Sequence, residues 1–353
     1  MSCDAAARED EHMRIALVTL GGTISSEPLD GAGPSSPGPD AGGGGVVPVS
    51  GAVTFAREVA RFVPGIEVVP VEAQMVPSSS LSVADLRGLA ARIAALVEEG
   101  DGVDGVVVAQ GTDTIEETAF ALDLVGAADE VPVVVTGAMR DRSAPGPDGA
   151  ANVVAALRAA ASHDVRGRGV LVAFADRLHA ARWVTKTSTF RVDAFTSEPF
   201  GPVGIVAEGR VRLGSAPRPL PPFEIPSGPP ARVAVVTAGI GDDLAVLPAL
   251  ADLGYDGVVL VATGAGHVPA VAVENVTMAA AGLPVVLCSR TGAGPVFTHT
   301  YGYEGGEIDL LERGVMPAGV LTPAKARLLL MLLVASGQTG VDLQRSFARY
   351  AES

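Results

Sequence analysis

Three short segments of this 353-residue chain combine hydroxyl side chains with glycine or charge in ways that could do chemistry. The first is Thr19-Leu20-Gly21-Gly22-Thr23-Ile24-Ser25, where paired glycines permit a sharp turn and leave the Thr23 hydroxyl projecting. Such a hydroxyl can act as a nucleophile, although the same pattern also makes a plain strand-to-helix turn or a phosphate-binding loop. The second is Gln110-Gly111-Thr112-Asp113-Thr114. Thr114 followed by Glu117 reads as a capping box, which places Thr112 and Asp113 at a helix N-terminus, where partial positive charge favours an ionised carboxylate. Asp113 could then hold a substrate ammonium group while Thr112 offers a second hydroxyl; the alternative is that both merely cap the helix. The third is Val184-Thr185-Lys186-Thr187-Ser188-Thr189. A lysine amine in water is almost wholly protonated at neutral pH, so it works as a base only where burial or neighbouring charge favours its neutral form. Otherwise it is a solvated surface lysine.

These segments need a scaffold that brings them together. Short β-branched runs alternate with Ala/Leu-rich helical stretches from about residue 14 onward, the pattern of βαβ units with a parallel sheet. Strands are predicted at 15–19, 67–71, 105–109, 131–136 and 169–174, and again at 232–237, 257–262 and 284–288. Because these runs are apolar throughout, both sheet faces should be covered by helices. Ser82 and Thr322-Pro323 mark helix starts, and Gly100 and Gly337 mark helix ends. Residues 203–213 read as a β-hairpin, and the proline-rich stretch 216–230 as a linker. The predicted architecture is therefore α/β in two domains, each a mostly parallel sheet covered by helices. Residues 1–13 form a disordered tail, 14–215 a larger catalytic domain and 231–353 a second α/β domain. The Gly/Pro/Ser-rich stretch 28–45 is too poor in apolar side chains to bury itself and reads as a flexible lid. In such a fold ligands bind beyond the carboxyl ends of the strands, where all three hydroxyl segments are expected.

Composition narrows the partners. A formal net charge of −15 argues against nucleic acid or an anionic membrane surface and favours a small-molecule substrate. The acidic opening lacks the basic and apolar regions of a secretory signal, and no apolar run is long enough to span a bilayer. Only Cys3 and Cys288 are present, which suits a reducing compartment and a cytoplasmic protein. The five histidines are scattered, so no metal and no organic cofactor is implied. Neither dinucleotide nor P-loop glycine spacing occurs where a strand meets a helix.

Along almost its whole length the sequence resembles the bacterial L-asparaginases and glutaminase-asparaginases. Gly21-Gly22-Thr23-Ile24 is similar to the family's first signature, and Gly111-Thr112-Asp113-Thr114 followed by Glu116-Glu117-Thr118-Ala119 to its second. Residues 135–140, 289–292 and 314–319 match further family segments. The resemblance implies that Thr23 is the nucleophile and that Thr112, Asp113 and Lys186 activate it. It further implies that Ser78, Ser79, Gly22 and Gly111 contact substrate, and that the chain is an amidohydrolase acting on L-asparagine. A homodimer or homotetramer, with sites completed by the neighbour's second domain, is implied as well. Glutaminase activity, an amidotransferase subunit, or a weakened binder of acidic amino acids are the alternatives. The chain departs from the family at Leu20 and Gln110, where threonine and histidine are usual, and at Val46, where the family carries a tyrosine thought to assist the nucleophile.

Overall fold

The computed structural model describes residues 12–21, 26–28, 46–48, 52–98, 102–215 and 217–351. Gly22, Thr23, Cys3, Gly100, most of the tail and the predicted lid from 29 to 45 lie outside the described residues. Two compact units divide the chain. One holds the described residues through Ser197 together with Gly201–Phe223, and the other holds Glu198–Phe200 and the residues from Glu224 onward.

The first unit runs β1 (Met13–Thr19), β2 (Ser26–Pro28), β3 (Val46–Pro48), α1 (Ala52–Ala60), β4 (Ile66–Glu72), α2 (Val83–Glu98), β5 (Gly105–Ala109) and α3 (Ile115–Leu124). It continues through β6 (Val133–Thr136), α4 (Gly149–Ala160), β7 (Leu171–Phe174), β8 (Arg177–Ala180), β9 (Thr185–Lys186), β10 (Phe195–Thr196), β11 (Gly204–Ala207) and β12 (Arg210–Leu213). Met13, read from sequence as the end of the tail, instead opens β1 and pairs with Ile66. Its apolar side chain continues the strand that follows.

Eight strands form one sheet in the order β12-β11-β8-β7-β6-β5-β1-β4. Neighbours from β4 to β7 are parallel, while β8, β11 and β12 add antiparallel pairs, the last two being the expected hairpin. Side chains alternate between two cores, as the period of two requires. Ile15, Leu17, Val107 and Val134 pack with α1 and α4 through Phe55, Val59, Val153 and Leu157. Ala16, Val18, Val106 and Val135 pack with α2 and α3 through Leu89, Ile93, Ile115 and Leu122. Both faces are therefore covered, which is why the strands read as continuous apolar runs.

The order of the parallel strands creates a switch point. From β1 the chain crosses to β4 on one side, then returns past β1 to β5 and proceeds to β6 and β7 on the other. Crossovers leaving β1 and β5 in opposite directions open a crevice at their carboxyl ends, the preferred ligand position in such sheets. Thr23 follows β1 in sequence, and Gly111 to Asp113 follow β5.

The second unit contains β13 (Val233–Thr237), β14 (Gly257–Ala262), α5 (Val273–Gly282), β15 (Val285–Ser289), α6 (Glu307–Glu312), β16 (Met316–Pro317), α7 (Pro323–Ala335) and α8 (Gly340–Ala351). Its sheet is wholly parallel in the order β13-β14-β15-β16. The Thr322 side chain accepts from the Lys325 N–H and Pro323 occupies the first turn, so this helix starts where its cap and proline foretell. Among the described residues no helix is long and apolar enough to cross a membrane.

Candidate active site

Leaving β5, the chain enters a single 3-10 turn at Thr112–Thr114 before α3 begins. Thr112 is buried in that turn, and Asp113, one position on, turns outward. Lys186 reaches them from elsewhere. Its amine donates to Thr112 Oγ1 at 2.8 Å and to Asp113 Oδ1 at 2.7 Å. The Lys186 side chain is 16% exposed and that of Asp113 is 67% exposed. Three of the four residues expected to carry catalysis thus meet in one hydrogen-bonded cluster at the carboxyl end of β5.

Lys186 does not come directly off β7, the strand its sequence position after 169–174 points to. The chain first turns back through β8, and Lys186 then sits on β9, a separate ribbon that pairs Lys186 with Phe195 and Thr185 with Thr196. Thr187 extends this ribbon by donating its N–H to the Ala194 carbonyl.

The expected capping box at Thr114 and Glu117 does not form, because the Thr114 hydroxyl has another partner. It donates to the Ser78 carbonyl at 3.0 Å and accepts from Gln110 Nε2 at 3.3 Å, and no side-chain cap bond is made at the start of α3. That bond joins the turn after β5 to a second 3-10 turn, Ser78–Ser80. The absent side chain of Gly111 makes the approach possible: a Cβ there would stand 2.8 Å from Ser78 Oγ and 3.1 Å from Ser78 Cβ. Ser78 is accordingly buried beside Thr112's turn, while Ser79 is exposed. The segment leading to Ser78 is anchored from α2, where Asp85 accepts from Gln74 Nε2 at 2.8 Å and forms a reciprocal cap with Ser82. Hydrogen bonds from Ser82, then Gln74, hold the Asp85 carboxyl below its ordinary range.

The strand that leads toward Thr23 runs into the same place. Leu20 donates to the Ala109 carbonyl, and Val76 donates to the Leu20 carbonyl. Gly21, at φ +83°, lies against the Val76 backbone, where a Cβ would be 3.1 Å from both N and O. The last described residues before Gly22 and Thr23 are thereby clamped between the Ala109 and Val76 segments. Gly22 and Thr23 themselves lie outside the described residues.

Glu116 enters the sequence reading only as part of the second family signature, with no role of its own, yet it grips the lysine strand. Its Oε2 accepts from Thr185 Oγ1 at 2.9 Å, and its Oε1 accepts from the Lys186 N–H at 3.4 Å. The only sequence signal was its place inside the Thr112-to-Thr118 motif, since its partners lie about seventy positions away.

In the second unit, Glu307 is buried and accepts from the Thr300 and Tyr301 N–H groups at 2.9 and 2.7 Å. Its other oxygen meets His267 Nε2 at 3.1 Å, and His267 Nδ1 meets the Tyr303 hydroxyl at 3.0 Å. Cys288 is buried and free, and burial pushes its thiol far up. No group of His, Cys, Asp or Glu among the described residues is placed to hold a metal ion.

This geometry has relatives. Residues 14–218 match the family model described as asparaginase, N-terminal, and residues 232–347 match the glutaminase/asparaginase C-terminal domain. A protein of Deinococcus radiodurans named probable L-asparaginase is 37% identical over 95% of this chain and 97% of its own length. The glutaminase-asparaginase of Pseudomonas fluorescens biotype A is 32% identical over 79% of this chain and 76% of its own. A crystal structure titled probable cytoplasmic L-asparaginase from Campylobacter jejuni superposes with a TM-score of 0.81 at 30% identity, covering 95% of this chain and 99% of that one. With both family domains matched in order and the strand-end cluster in place, the chain belongs to the asparaginase family.

Proposed function

We propose that this chain is an amidohydrolase that converts L-asparagine to L-aspartate and ammonia through a threonine acyl-enzyme. The observation that carries the reading is the amine of Lys186, held 2.8 Å from Thr112 Oγ1 and 2.7 Å from Asp113 Oδ1 at the sheet's switch point. A carboxamide is unreactive, and a threonine hydroxyl is almost never ionised at neutral pH, so a base must take the proton as attack occurs. Lys186 is the group placed to be that base. It receives the Thr23 proton through the Thr112 hydroxyl, while Asp113 keeps the amine aimed. Thr23 Oγ bonds to the carboxamide carbon, the C–N bond breaks, and the nitrogen takes up a proton and leaves as ammonia. Water then adds to the ester, returns a proton to Thr23 and releases aspartate.

Backbone N–H groups at Gly111 and Thr112 stabilise the oxyanion, an effect worth about 3 kcal/mol per donor. Ser78, Ser79 and Gly22 hold the substrate, and the outward carboxylate of Asp113 takes its ammonium group. The chain works as a cytoplasmic homodimer or homotetramer, which light scattering on the purified protein measures directly.

Glutamine is the second substrate to weigh, because one relative is named for both amides. A panel of asparagine, glutamine and related amides, assayed for ammonia with the purified chain alone, tests the reading. Asparagine should give aspartate and ammonia in equal amounts, and Thr23→Ala should remove that activity by at least ~10³-fold. Release from glutamine alone would reassign the substrate, and release from no amide would make the chain a binder.

A further inference from the structure

We infer that Glu116 is the positioning residue for Lys186, and that it couples the two halves of the activating cluster. This rests on Lys186 acting as the base in the reaction proposed above. Thr112 and Asp113 lie on the turn that opens α3, and Glu116 lies in the first turn of the same helix. Lys186 belongs to a ribbon of only two paired residues on each strand, outside the main sheet. Buried Val184, Ala194 and Phe195 tie the ribbon to the core, but none of them holds the lysine itself. Glu116 adds a polar restraint at that residue. One carboxylate oxygen takes the Thr185 hydroxyl at 2.9 Å and the other takes the Lys186 backbone N–H at 3.4 Å.

Backbone and side chain of the same lysine are therefore referenced to one helical turn, the backbone through Glu116 and the amine through Thr112 and Asp113. A shift of the ribbon by an ångström would leave the fold unchanged and carry the amine out of line with the Thr112 hydroxyl. Misplacement on that scale is enough to lower a rate by about a hundredfold. Glu116 does this without touching substrate.

The test is a double-mutant cycle on the full-length enzyme, with kcat and KM for asparagine measured for Glu116→Ala, Glu116→Gln, Thr185→Val and Glu116→Ala/Thr185→Val. A residue acting through the Thr185–Lys186 strand should lower kcat by roughly 20- to 100-fold in Glu116→Ala with KM changed less than about threefold. Thr185→Val should lower kcat by about fivefold, and the double variant should fall no further than Glu116→Ala, since both remove one connection. Glu116→Gln keeps one acceptor and should recover most of the rate. Near-isosteric Glu116→Gln and Thr185→Val keep the test alive if Glu116→Ala does not fold. A kcat within twofold of wild type in Glu116→Ala, fully multiplicative effects in the double variant, or a loss confined to KM would overturn the inference. Lys186→Met serves as the control. If that variant kept the wild-type rate, the base assignment itself would fail; its collapse beside an active Glu116→Ala would reject Glu116 alone.

Discussion

Lys186 and Asp113 meet at 2.7 Å from opposite environments: the lysine side chain is 16% exposed and the aspartate side chain 67%. A pair with one partner so open to water is well screened and adds little to folding, typically about 0–1 kcal/mol. Its value lies in orientation, because the same amine is also held to Thr112 Oγ1 at 2.8 Å.

Asp113→Asn separates these two roles. The amide keeps an acceptor for the lysine but removes the charge offered to a substrate ammonium group. Folding stability should change by less than about 1 kcal/mol, while kcat/KM for asparagine should fall at least ~100-fold. Thermal melts and steady-state kinetics on the same preparation check this, and a matching loss of both would assign Asp113 to the fold.

Gly111→Ala tests the contact between the two short turns. The backbone at Gly111, φ −63° and ψ 145°, suits any residue, so the effect is steric alone: the new Cβ would meet Ser78 Oγ at 2.8 Å. Overpacking of this kind costs about 1–3 kcal/mol, which at a substrate-binding turn should raise KM roughly tenfold. Kinetics showing an unchanged KM would mean that Ser78 does not contact substrate.

Much of this arrangement is legible in the sequence, and the limits have physical causes. The strands at 15–19 and 105–109 announce themselves because burial on both faces makes them continuously apolar. The motifs of Thr23 and of Gly111 to Asp113 stand out because they follow such strands. Lys186 stands out in sequence only as a lysine among hydroxyl residues, and its role comes through the family resemblance, since a two-residue ribbon carries no periodicity. The role of Glu116 is unreadable for a related reason: its partners at Thr185 and Lys186 are brought close only by the tertiary fold. The capping box failed because local spacing cannot foresee a competitor, and the Ser78 carbonyl takes the Thr114 hydroxyl across 36 positions.

Glu307 makes the second unit sensitive to acid. Burial would raise its carboxyl, but backbone hydrogen bonds from Tyr301 and Thr300, its own N–H and His267 together outweigh this and hold it below its ordinary 4.5. As pH falls the unfolded chain takes the proton first, so stabilisation present above about 4.5 fades as pH drops through the folded-state value. Glu307→Gln should therefore be less stable than wild type at neutral pH, by about 1–3 kcal/mol. The gap should narrow below that range. Denaturant melts across pH follow it, and a gap that widens in acid would contradict the assignment.

Val46 stands where the family carries a tyrosine thought to assist the nucleophile, on a short strand that pairs with Pro28. On the assisting role that the resemblance implies for that tyrosine, Val46→Tyr should raise kcat about tenfold, equivalent to about 1.4 kcal/mol of barrier. A reduced rate measured with saturating asparagine would show that this chain relies on Lys186 without help from that strand.

Ammonia release from asparagine by Lys186→Met, set beside calorimetric binding of aspartate to the same variant, bears most directly on the proposed chemistry. Methionine keeps the length of the stem and removes the amine that bridges Thr112 and Asp113. With the base gone and the substrate contacts in place, kcat should fall by at least ~10³-fold while aspartate still binds. A variant that lost aspartate binding but turned over normally at saturation would make Lys186 a substrate anchor and contradict its role as the base.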